Sequence, residues 1–153
     1  MTLTDDKKAA DKLLENIVAE TKKMFKETGR TPHLAVVLVG DNPTSHAYFA
    51  EIEKTCKDIG FFHSTYKYPE TINEKELLAV IEFLNIDEEI DGFIVPLPLP
   101  DHLNKSKIIE MINPSKDVDV LNDTAPIQIS TESMRIADIL QNTLKAAIKE
   151  IYK

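Results

Sequence analysis

Six consecutive apolar residues, LAVVLV at positions 34–39, constrain the fold more than any other feature of this chain. Half of them are β-branched and no polar residue interrupts them, so a strand built from this run must be buried on both faces. Such a strand belongs in a parallel sheet covered by helices on both sides. The flanks agree. Pro32 comes before the run, and Gly40, Asp41, Asn42 and Pro43 follow at once. Asn42 is suited to cap a helix and Pro43 to occupy its first turn, so strand passes into helix through a tight turn.

The rest of the chain repeats this alternation. Ala10, Leu13, Leu14, Ile17, Val18, Met24 and Phe25 mark an amphipathic helix over 6–27 that ends near Gly29. A second helix runs to about Ile59 and stops at Gly60. A strand over 62–67 is closed by Pro69, and Thr71 with Glu74 reads as a capping box, with Asn73 as a rival cap. The helix that follows carries Leu77, Leu78, Val80, Ile81 and Leu84. Asp91 and Gly92 turn into a third strand, 92–95. It ends in Pro96, Pro98 and Pro100, which alternate with Leu97 and Leu99 and cannot continue a central strand. A short helix over 106–111 closes at Asn113 and Pro114, and residues 122–129 read as a linker. The last helix places Ile136, Ile139, Leu140, Leu144, Ala147, Ile148 and Ile151 on one stripe that needs a partner, most naturally the first helix. The pattern predicts an α/β domain: a parallel sheet between two helical layers, with N- and C-terminal helices packed together. Ligands are expected outside the carboxyl ends of the strands, at loops 40–45, 69–73 and 96–101.

Composition narrows the partners. At 153 residues the chain is long enough for one domain with its own core. Eighteen basic against twenty-six acidic residues leave a net charge of −8, which argues against nucleic acid as a partner. A membrane span needs about twenty apolar residues, far more than the run at 34–39, so none is expected. The first residues carry acids and no apolar h-region, which predicts a cytoplasmic location. Four glycines in the whole chain supply neither a Gly-x-Gly-x-x-Gly motif nor a phosphate loop. The lone cysteine, Cys56, reads as core. The histidines at 33, 46, 63 and 102 lack metal-ligand spacing and read as solvated surface, so no metal site is expected.

Three places stand out locally: the turn at 40–43, the proline wall at 97–100, and Lys116-Asp117-Val118-Asp119, which would otherwise be a solvated turn. With Ser45 and Tyr48, residues 69–71, Leu84 and Asn85, Asp91 and Gly92, and Pro114, they form an ordered set over about residues 5 to 120. That set resembles the bifunctional methylenetetrahydrofolate dehydrogenase/cyclohydrolase family, over its folate-binding catalytic domain. The family then carries a nucleotide-binding domain and returns through a C-terminal helix. Here 132–153, with Leu140, Gln141, Asn142, Thr143 and Leu144, resembles that returning helix, and 121–131 stands as a short linker in place of the nucleotide domain.

The resemblance also implies site residues. Tyr48 matches the ring that lies against folate, Asp119 the acid that bonds the pterin, and Leu97, Pro98, Leu99 and Pro100 the pocket wall. Elsewhere the pattern is broken. The family's lysine, four residues after the tyrosine, is Ile52; Lys54 points about 120° away from Tyr48 on a helix. The supporting glutamine is Pro96, the glycine after the second aspartate is Val120, and the Gly-Pro before the returning helix is Glu132-Ser133. No catalytic residue and no NAD or NADP site is therefore expected. Three readings stay open: a degenerate site that binds a reduced folate or regulates a partner protein, a residual methenyltetrahydrofolate cyclohydrolase, and a structural interaction domain with a closed pocket.

Overall fold

The computed structural model describes residues 3–118 and 132–151. In chain order the elements are α1 (Leu3–Thr28), β1 (His33–Val39), α2 (Pro43–Ile59), β2 (Phe62–Tyr68), α3 (Glu74–Ile86), β3 (Gly92–Ile94), α4 (Lys105–Met111) and α5 (Glu132–Ile151). The three strands form a parallel sheet in the order β2-β1-β3. The apolar run is its centre, as the sequence requires. Alternate side chains of β1 enter opposite cores: Leu34 and Val36 join the layer of α1, α2 and α5, and Ala35, Val37 and Val39 join that of α3 and α4.

The helix ends follow local chemistry. Asn42 caps α2, its side chain accepting from the backbone N–H groups of Thr44 at 2.9 Å and Ser45 at 3.4 Å. At α3 the cap is Asn73 rather than Thr71. Its Oδ1 accepts from Glu76 N at 2.8 Å, and its amide returns a bond to the Glu76 carboxylate. The cap thus lies two residues after Thr71, and Asn73 meets its own glutamate three residues on through its side-chain amide rather than through the backbone N–H of a capping box. Similarly, Asn104 caps α4 and starts it at Lys105, one residue before the expected Ser106.

β3 stops at Ile94, one residue short of the expected strand, although Val95 remains buried. Pro96 next to it has no N–H to offer a ladder. Beyond β3 the sheet gains a fragment of a further strand. Asp117 bridges Phe93 in parallel, and Phe93 N donates to Lys116 O at 3.0 Å. Gly92 is required here, since a Cβ on it would lie 2.3 Å from Val118 Cγ1. Residues 116–118 are thus not the solvated turn that the sequence allowed. The Lys116 ammonium donates to Leu84 O at 2.8 Å and Asp87 O at 2.5 Å, satisfying carbonyls at the end of α3.

At the amino ends of the strands, buried Asp91 is paired with Arg30 at 2.5 Å and accepts from His33 N at 2.9 Å. This ties the α1–β1 junction to the start of β3. α5 lies along α1: Ile136, Ile139, Leu140, Leu144 and Ala147 share a core with Ile17 and Met24. The expected pairing of terminal helices is therefore present. None of the described helices is long and apolar enough to cross a membrane.

Candidate functional site

A cleft of about 390 Å³ opens at the carboxyl ends of the strands. It is lined by Val39 at the end of β1 and residues 40–42 after it, Glu70 after β2, and residues 98–101 beyond β3. All three loops predicted to meet a ligand contribute to it. This follows from topology, because parallel strands deliver their following loops to the same edge. The central loop is the most constrained. Gly40 has φ of +80°, a left-handed conformation that favours glycine, and a Cβ placed on it would be in ordinary contact with Glu70 Cβ at 3.5 Å. Gly40 N donates to Tyr68 O at 2.9 Å, and Gly40 O accepts from His46 Nε2 at 2.9 Å.

The opposite wall is the proline segment, in which the Leu97–Pro98 peptide is cis. Leu99 and Pro100 are half-buried, and Leu99 packs on the core that includes Leu77 and Leu103. Leu97 lines a second cleft that shares residues 98–101 with the first and adds Leu103 and Lys105. Pro98, Leu99 and Pro100 therefore meet in the main cleft, whereas Leu97 lines only the second.

Tyr48 is placed differently. It is half-buried against the α1–α2–α5 core and does not line the main cleft. Ser45, Ile52, Cys56 and Ile59 are the buried positions of α2, and Ile52 is 0% exposed. Lys54 is exposed, as helical geometry predicts for a residue off the Tyr48 face. The Ser45 hydroxyl is buried without a hydrogen-bond partner among the described residues. Pro96 is buried behind the wall. Asp119 and Val120 lie outside the described residues, as do the side chains of Glu132 and Ser133. Val118 is buried, and its carbonyl accepts from Asn142 Nδ2 of α5 at 3.3 Å.

The cleft residues outside the set to which the resemblance gave a ligand role are Val39, Gly40, Asp41, Asn42, Glu70 and Asp101, three of them carboxylates. Each carboxylate sits in a loop already marked by topology, but an exposed carboxylate carries no periodic signal to single it out. The histidines also depart from expectation. His33 Nε2 is 2.6 Å from Ser64 Oγ, and burial, only partly opposed by Asp91 and other carboxylates, lowers its pKa. His46 bonds Gly40 O, and His102, although exposed as expected, bonds Ile72 O, so three of the four make structural hydrogen bonds that their spacing does not announce. Cys56 is buried as expected, and desolvation pushes its thiol up to about 12, which leaves no thiolate for chemistry near neutrality. Among the described residues no group of three or more His, Cys, Asp or Glu side chains is arranged to hold a metal ion. The cleft thus presents carboxylates, a glycine turn and a rigid apolar wall.

Comparison with known proteins gives this geometry a family. The sequence model for the tetrahydrofolate dehydrogenase/cyclohydrolase catalytic domain matches residues 4–119. The bifunctional protein FolD of Sulfurovum sp. is 44% identical over 119 residues, 78% of this chain and 42% of that protein. FolD of Porphyromonas gingivalis is 39% identical over 147 residues, 96% of this chain and 49% of its own length. The crystal structure of the bifunctional FolD methylenetetrahydrofolate dehydrogenase/cyclohydrolase from Campylobacter jejuni superposes with a TM-score of 0.72 at 43% identity. That match covers 78% of this chain and 42% of that one. The chain therefore spans less than half the length of these relatives. With the matched region covering the whole sheet and the loops at its carboxyl edge, the chain belongs to the tetrahydrofolate dehydrogenase/cyclohydrolase family, within its catalytic domain.

Proposed function

We propose that this chain is a folate-site protein that binds a reduced folate, or regulates a partner protein through that site, without dehydrogenase activity. One observation carries the reading. Ile52, at the position matching the family's lysine, is fully buried in an apolar core and shares its helix face with Tyr48. A hydrocarbon neither donates a proton nor polarises a bond. Pro96, at the matching glutamine position, is buried and lacks even a backbone donor. Dehydrogenation is set aside on separate grounds. α5 returns to pack on α1, so only residues 119–131 separate it from the segment beside β3. A single βαβ unit takes about 30 residues, so a dinucleotide-binding domain does not fit there. No affinity for NAD or NADP is expected.

In this reading residues 97–100 and Asp119 hold the ligand, with Asp119 accepting from the pterin's amide and amino groups. Calorimetric titration with tetrahydrofolate and 5,10-methenyltetrahydrofolate, paired with loss of the methenyl absorbance, tests it. Binding without turnover supports the proposal. Turnover above the buffer rate that is lost in Tyr48→Phe favours a residual cyclohydrolase, and neither binding nor turnover favours a structural interaction domain.

A further inference from the structure

We infer that His102 is the positioning residue for the proline wall of the cleft, and that a ligand in the cleft is held through that wall. The choice of ligand rests on the folate reading above; the mechanical part does not. Residues 96–101 belong to neither helix nor strand, and three of the six are prolines without an N–H. A wall so poor in backbone donors must be fastened by something outside itself. His102, immediately after it, supplies the fastening. Its Nε2 lies 2.8 Å from Ile72 O. A carbonyl only accepts, so Nε2 is the protonated nitrogen, and the bond persists whether or not the ring is charged.

The anchor at the other end is firm. Ile72 is buried, and its N–H donates to Pro69 O at 3.0 Å. Two residues before Ile72 stands Glu70, which lines the main cleft across from residues 98–101. The imidazole therefore joins the two loops that carry facing walls. A parallel tie reinforces it: Asn104 N donates to Glu74 Oε1 at 3.1 Å, and Lys107 Nζ lies 3.4 Å from Glu74 Oε2. Between them, Leu103 N closes a turn onto Pro100 O at 3.1 Å and buries the Leu103 side chain. His102 itself is exposed, so replacing it opens no hole in the core.

The test compares wild type, His102→Ala and His102→Gln, the last keeping an N–H donor that can reach Ile72 O. Amide hydrogen exchange at Leu103 and Asn104 is read against Val36 and Val37 of β1, and tetrahydrofolate affinity is read by calorimetry. Loss of one such bond should speed exchange at Leu103 and Asn104 about fivefold in His102→Ala, leave β1 unchanged, and raise Kd about fivefold. His102→Gln should largely restore both. Unchanged loop exchange in His102→Ala overturns the inference, as does unchanged Kd in a protein that binds. Wild type that binds no folate refutes the folate reading instead, and the exchange measurement then decides the role of His102 alone.

Discussion

Introducing lysine at position 52 asks directly whether the pocket has lost its capacity for the family's chemistry. Ile52 is 0% exposed and belongs to the apolar core that also holds Val36, Cys56, Ile94, Val118 and Leu140. A buried ammonium in such surroundings has its pKa lowered by about 3–5 units, which corresponds to about 4–7 kcal/mol against the charged form. A domain of this size has only about 5–15 kcal/mol of stability, so Ile52→Lys should lose a large part of it at pH 7. The sign of the pH dependence is fixed by linkage. The unfolded lysine titrates near 10.4 and the folded one well below, so between those values the unfolded state binds more protons and stability rises with pH. Relative to wild type, the loss should shrink by about 1.4 kcal/mol per pH unit in that window and vanish above it.

Urea denaturation at pH 7, 8 and 9 measures this, with Ile52→Met as a volume control expected to lose less than about 1.5 kcal/mol. Adding Pro96→Gln should recover part of the loss, because a nearby amide oxygen can accept from the ammonium. An Ile52→Lys midpoint equal to that of wild type at pH 7 would refute the reasoning. It would mean that water or a polar group already reaches position 52, and a cyclohydrolase reading would gain ground.

Further outcomes follow from individual contacts. Gly92→Ala should lose about 1–3 kcal/mol in urea denaturation, since its Cβ would meet Val118 Cγ1 at 2.3 Å and push the 116–118 segment off the sheet. Leu140→Ala should lose about 2–5 kcal/mol by the same measurement, because Leu140 is fully buried where α5 meets α1. Cys56 should react with an aromatic disulfide reagent only as fast as the protein opens, its thiol being buried and pushed up to about 12; rapid native labelling would contradict that. Asp119→Ala should abolish reduced-folate binding in calorimetry, by removing the charged acceptor for the pterin donors.

What could be read from the sequence was whatever depended on local periodicity. The run at 34–39 dictated a central strand with two buried faces, and the stripe on α5 demanded a partner that α1 supplies. Tertiary contacts decided the rest. Nothing near Lys116 in the chain announces that it will reach the carbonyls of Leu84 and Asp87, some thirty residues away. Nor does spacing show that His102 will find Ile72, or His33 Ser64. The site divides the same way. Topology located the three loops, and residues 98–100 line the cleft they form, but Tyr48 was aligned with them by resemblance and instead leans on the other core. Helical phase sets which way Tyr48 points, whereas packing sets what it meets.

On the proposed reading, binding and proton transfer depend on different parts of this fold, so that one can be kept without the other. The cleft is made by backbone: a left-handed glycine at 40, an Asn42 cap, a proline wall, and ties from His46 and His102. Those features also hold the ends of β1, α2 and α4, so losing them would destabilise the domain whatever the cleft contained. The positions matched to the family's lysine and glutamine are single side chains facing inward. A lysine at position 52 would be held against its own desolvation, and isoleucine relieves that penalty while filling the core. Pro96 likewise stiffens a loop and needs no polar partner for its side chain. On the proposed reading, stability and cleft architecture favour the same residues, whereas proton transfer and stability favour opposite ones. A chain relieved of the chemistry would then keep the walls and replace the lysine and its supporting glutamine, which is the pattern at positions 40, 52, 96 and 98–100.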